Sequence, residues 1–118
     1  MNAYEIPNLR FGLPAGGAVA RHRFVSVSAD GTGIQATAST PVIGASMNLV
    51  TAAENTAGGH IVEVADGIVM VEAADAITAG VPVYSDAEGK ATATGTTNAA
   101  GIAITAATGA GSLVAVKI

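Results

Sequence analysis

The sequence predicts an all-β fold, a small β-barrel or sandwich of short antiparallel strands that carries an internal duplicated unit and an extended N-terminal arm. Three observations predict it. Half of the 118 residues are apolar, but they fall in short Val- and Ile-containing runs separated by glycines, of which there are 15. Runs of this kind between turn residues are the mark of strands rather than helices. The stretch at 77–94, I-T-A-G-V-P-V-Y-S-D-A-E-G-K-A-T-A-T, reads as strand, tight turn and strand. In its turn Asp86 can bond its own backbone and Gly89 can take positive φ. Finally, the pattern occurs twice. Residues 24–46 and 83–105 each run through a Val/Ser strand, an acidic turn with glycine, an A-T-A strand, a polar loop and an apolar strand holding G-x-A or G-A.

Taken in order, residues 1–20 hold Pro7, Pro14 and three glycines, with no helical or strand period. Proline pushes its predecessor towards extended backbone, so this segment is expected to be an arm ahead of a single β domain at 21–118. Tyr4, Ile6, Leu9 and Phe11 are too apolar for a solvated tail. Such an arm either packs back on its own domain or orders on a partner, with Arg10 as an ionic anchor. Strands are expected at 21–28, 35–38 and 42–47, then a loop over 49–59 with at most one helical turn. The segment I-V-E-V-A-D-G-I-V-M-V-E at 61–72 predicts a hairpin turning at Asp66-Gly67, with Glu63 and Glu72 facing solvent. A turn or two of helix is expected over 73–79, stopped by Gly80. After the second unit, 101–105 and 112–118 complete the strands.

Composition narrows the function. There are two Phe, two Tyr and no Trp, so large apolar side chains, each stabilising by roughly 1.5–3 kcal/mol when buried, are scarce. A thin core of this kind favours further burial between subunits, and either a homo-oligomer, dimer or trimer, or a surface-docked protein is expected. The net charge is −4. Arg10, Arg21 and Arg23 against Glu5 give residues 1–23 a charge of +2. Lys90 and Lys117 against eight acids give the remainder −6. Nucleic-acid binding needs a clustered basic face, which this distribution does not provide. No stretch approaches the roughly 20 apolar residues of a membrane helix, and the opening of the chain lacks the pattern of a cleaved signal peptide. A soluble protein made in a cytoplasm is expected. With no cysteine there are no disulfides and no thiolate metal sites.

A search for chemistry finds none. His22 and His60 lack ligand-spaced partners, so no metal or cofactor is expected. Asp86 and Glu88 are too few oxygens at the wrong offsets for a calcium loop. The E-G-K-A-T of 88–92 fails as a phosphate loop, because Tyr84 stands where a glycine is required and Ala91 where Ser or Thr is. No serine is placed for a nucleophile elbow. No catalytic residue is assigned, and an enzyme is not expected.

Five segments do carry a resemblance: L-P-A-G-G-A-V at 13–19, V-E-V-A-D-G-I-V-M-V at 62–71, A-D-A-I-T-A-G-V-P-V-Y-S-D at 74–86, A-G-I-A-I-T at 100–105 and L-V-A-V-K-I at 113–118. In order and spacing the chain from about Leu13 onward resembles the small phage capsid cement, or head decoration, proteins. That family has sometimes carried a recombinase label, which the resemblance implies is wrong here, in agreement with the failed phosphate-loop match. The resemblance implies a β-rich virion protein on the exterior of a bacteriophage capsid, bound at junctions between major capsid proteins and stabilising the expanded head. It transfers no catalytic residues and does not extend over residues 1–12. The expected contacts to capsid or neighbouring copies are Tyr4, Ile6, Arg10 and Phe11, which combine apolar surface with the chain's basic end. Two other readings compete: a β-module binding a small ligand or host-surface glycan, and a hydrolase or nucleotide enzyme.

Overall fold

A computed structural model of the protein describes residues 6–118. Its strands are β1 (Ile6–Pro14), β2 (Phe24–Val27), β3 (Gly33–Gln35), β4 (Gly44–Ser46), β5 (Ile61–Glu72), β6 (Pro82–Ser85), β7 (Ala91–Thr92), β8 (Gly101–Ala103) and β9 (Leu113–Lys117). One short helix, α1 (Ala52–Ala57), interrupts them. The antiparallel sheet runs β3-β2-β4-β5-β9-β8-β6-β7, curls into a half-barrel, and carries β1 against β5. The fold is nearly all-β, as the glycine-bounded apolar runs require.

The duplication is visible in the hydrogen bonds. The order β3-β2-β4-β5 is repeated as β7-β6-β8-β9. Ala15 donates its N–H to the carbonyl of His60 and Ala73 donates to Ser112; Gly16 donates to Gly33 and Ala74 to Ala91. Val19 and Val50 exchange both bonds, as do Ile77 and Ala107. Ile43 donates to Val25 and Ala100 to Val83. These equivalences place Val25 opposite Val83 in the repeat, one residue away from the pairing of Phe24 with Val83 that the sequence pattern suggests. The local motif of Val, Ser and an acidic turn tolerates that slip, whereas the backbone ladder does not.

β5 corrects the expected hairpin. It runs unbroken for 12 residues through Asp66-Gly67. Gly67 has φ +94°, but Asp66 does not join it in the left-handed region, so the paired geometry of a tight hairpin turn is not made. The step instead accommodates an irregularity in β1, which advances three residues from Pro7 to Arg10 while β5 retreats two, from Gly67 to Ala65. Asp66 Oδ1 accepts the Leu9 N–H in that gap at 2.9 Å. Side chains alternate across a strand, so this single strand serves two cores. Val62 and Val64 enter one with Val19, Val25 and Val50. Ala65, Val69 and Val71, on the opposite face, enter the other with Phe24, Val83, Val114 and Val116.

Two further expectations are corrected. Residues 73–79 form no helix; Ala73 bridges Ala91 and Ile77 bridges Ala107, and cross-strand bonds override the weak helical preference of a short Ala-rich run. The strands expected at 35–38 and 42–47 are displaced or shorter, at 33–35 and 44–46. The loop over 49–59 holds α1, whose start is a capping box: Thr51 Oγ1 accepts the Glu54 N–H at 3.1 Å and Glu54 Oε1 accepts the Thr51 N–H at 3.0 Å. α1 buries no residue, so the cap decides its stability. The bonds from Thr51's backbone and hydroxyl hold the Glu54 carboxyl below the usual glutamate range. A carboxyl depressed in the folded state stabilises fully above its unfolded pKa, and that contribution disappears as pH falls through the folded value. Amide protection over 52–57, relative to the intrinsic exchange rate at each pH, is therefore expected to fall below the ordinary carboxylate range. Thr51→Ala should reduce protection there about fivefold at neutral pH, while β5 amides stay unchanged.

Candidate functional site

Of the contact residues expected from sequence, Tyr4 lies outside the described residues. Ile6, Arg10 and Phe11 all lie on β1, which pairs antiparallel with β5. Ile6 sits opposite Ile68 and is 54% exposed. Arg10 forms an exposed ion pair with Glu63 across the two strands. Phe11 is half-buried and packs against the core cluster of Val19, Val25, Val50, Val62 and Val64. β1 thus brings Ile6 and Arg10 to the surface and turns Phe11 inward. Prolines at positions 7 and 14 suit such a strand, because proline is tolerated where no ladder bond is required.

Two clefts flank β1. One, of about 330 Å³, is lined by Arg10, Phe11, Gly12, Asn48, Ile61 and Glu63. The other, of about 360 Å³, is lined by Ile6, Asp66, Gly67, Ile68, Lys117 and Ile118. The ionisable groups of the first cleft, Arg10 and Glu63, pair with each other, and those of the second are Asp66 and Lys117. His22 Nδ1 lies 3.3 Å from the Met70 carbonyl, and His60 is beside Glu54 at 3.6 Å on the exposed helix end. Among the described residues no group of three His, Cys, Asp or Glu could hold a metal ion. The Asp86 carboxylate is occupied by its own turn, accepting from the Glu88 and Lys90 N–H groups at 2.8 Å each.

Charged side chains serve the fold. Glu72 lies between Lys90 Nζ at 3.3 Å and Arg23 at 3.5 Å, and Arg23 also donates to the Glu88 carbonyl at 3.1 Å. These bonds tie the loop before β2 to the end of β5 and to the β6–β7 turn. Among the described residues Arg10, Arg23 and Lys90 therefore face acids of the same chain. The described aromatic rings are likewise engaged internally: Phe24 is fully buried, Phe11 packs on the core, and Gly95 lies against the ring of Tyr84. Among the described residues no helix is long and apolar enough to cross a membrane.

What the sequence pattern did not single out is an apolar row across the sheet. Ile6 pairs with Ile68, Ile68 with Lys117, Lys117 with Ile102 and Ile102 with Pro82. Residues directly opposite one another share a face. Ile102 and, two residues on, Ile104 are each 43% exposed. Alternation along 101–105 separates Ile102 and Ile104 from Ala103, but it does not say which face looks outward.

The module is nearly all-β, its described polar groups serve turns and strand junctions, and its surface carries a row of isoleucines. The chain belongs to the phage cement protein family, whose model matches residues 4–118. That membership makes it a structural protein of a phage virion. Its fold is similar to that in the crystal structure of the head fiber gp8.5 N base in bacteriophage phi29, with a TM-score of 0.69 and 21% identity over 92% of this chain and 91% of that one. No curated protein sequence matches it.

Proposed function

We propose that this protein decorates the outside of a bacteriophage head, binding at junctions between major capsid proteins and stabilising the expanded shell. The observation that carries the proposal is the family match along residues 4–118, essentially the whole chain. The mechanism is physical and involves no catalysis. Each copy adds apolar burial and hydrogen bonds across a junction, and many copies on one shell multiply the effect. A ligand that binds the expanded state alone stabilises that state by mass action. Copies meet one another as dimers or trimers. They are made in the host cytoplasm and end on the virion exterior, with no part for nucleic acid or membrane. On β1, exposed Ile6 and Arg10 are the residues proposed to meet the capsid or a neighbouring copy.

Co-sedimentation with expanded, undecorated heads of the encoding phage tests this. Saturable pelleting is expected, with heads that then survive higher temperature. Absence of pelleting across a range of salt would overturn it. Because Phe11 holds β1 to the core, the β1 contact is better tested by Arg10→Glu and Ile6→Ser than by deleting the strand. Each is expected to weaken pelleting severalfold, and wild-type affinity in both would remove β1 from the interface.

A further inference from the structure

The repeat leaves one of its two equivalent faces uncovered among the described residues. In the first half of the chain, Phe24, Ala45 and Ala65 form one cross-strand row. All three are buried to within 1%, because the second half packs on them. Part of that packing is a hydrogen bond from the Phe24 N–H to the carbonyl of Gly89, in the β6–β7 turn, at 2.8 Å. By the equivalences of the ladder, the matching residues of the second half are Pro82, Ile102 and Lys117. Nothing in the described chain covers them. A stack of two repeats leaves one terminal face open, and a terminal face that is not a partner site is ordinarily polar. This one presents Ile68, Ile102 and Ile104, continued by Ile6 of β1.

A third repeat, supplied by a second copy, does not fit there. Pro82 has no N–H, so the bond that Phe24 makes to the Gly89 carbonyl cannot be repeated. Lys117 stands where Ala65 is fully buried, so the same close packing would desolvate an ammonium group. Lys117 is the one cation of the row; Asp66 lines the same cleft, but its carboxylate accepts the Leu9 N–H, and Lys117 makes no ion pair among those of the described residues. The complementary surface is apolar with a carboxylate within reach of Lys117.

We propose that this row on β5, β9, β8 and β6 seats on the capsid shell, against an apolar patch that supplies a carboxylate to Lys117. The proposal rests on the head-binding reading above. Ile102→Asp and Lys117→Glu are expected to lower affinity for expanded heads at least tenfold while leaving the thermal unfolding curve unchanged. Leu49→Asp, at an exposed leucine away from the row, is expected to bind as wild type does. Should Ile102→Asp disturb folding, Lys117→Glu, an exposed side chain at a strand end, decides alone. Wild-type binding by folded variants overturns the docking face and leaves head binding standing. Failure of the wild-type protein to sediment with heads overturns both. A wild-type oligomer in sedimentation velocity that Ile102→Asp converts to monomer would give the face to a second copy and overturn the shell assignment.

Discussion

Replacing Phe24 by alanine is expected to destabilise the protein by about 3–5 kcal/mol, the usual cost of emptying an aromatic site in a packed core. That is a large part of the roughly 5–15 kcal/mol by which a domain is stable. Phe24 is the largest fully buried side chain, in a core otherwise made of valine, alanine and isoleucine. Its neighbours are held by strand ladders on both sides: its N–H bonds to Gly89, its carbonyl accepts from Ala36, and its Cα pairs with Ala45. Little can collapse into the space. Because it belongs to the first half and lies in the core cluster of the second, both halves should lose stability together, in one denaturant transition with a lower midpoint. A loss below about 1 kcal/mol would show that the neighbouring chains close over the cavity.

Gly101→Ala is the second large effect, expected at about 3 kcal/mol, with a fall in Tm on the order of 10 °C. A methyl group built on Gly101 would stand 2.2 Å from the Lys117 carbonyl oxygen and 2.9 Å from Val116 Cγ1. The closest obstacle is backbone, so relief requires parting β8 from β9, whose register joins Ile102 to Lys117 and Ala103 to Val116. The repeat makes the same demand at Gly44, where an added methyl would lie 2.5 Å from the Ala65 carbonyl oxygen. Gly44→Ala should therefore behave similarly. Gly109→Ala, with nothing within 4 Å and no left-handed backbone, should change stability by less than about 0.5 kcal/mol. Thermal unfolding of the three variants checks the argument. If Gly101→Ala were as stable as wild type, the close approach of β8 and β9 would be wrong.

The sequence by itself determined the fold class and the duplication, because these are local properties. Turns such as Asp86 to Gly89 are made by side chains bonding backbone two to four residues away, and Gly31 and Gly89 hold matching positive φ of 83° and 75° at equivalent turns. Tertiary structure alone decided the rest. Asp66-Gly67 has the composition of a hairpin turn, yet β1, β4 and β9 offer the two runs on either side partners distant in sequence, and one long strand with a core on each face results. Ala73 to Ala79 could have coiled, but Ile77 is held by Ala107, thirty residues on. The candidate docking row was hidden for the same reason. Ala45 and Ile102 occupy equivalent places, both apolar, and only the packing of the second half onto the first makes one core and the other surface. Periodicity can show that a strand has two faces, but which face meets water depends on what else the chain brings against it.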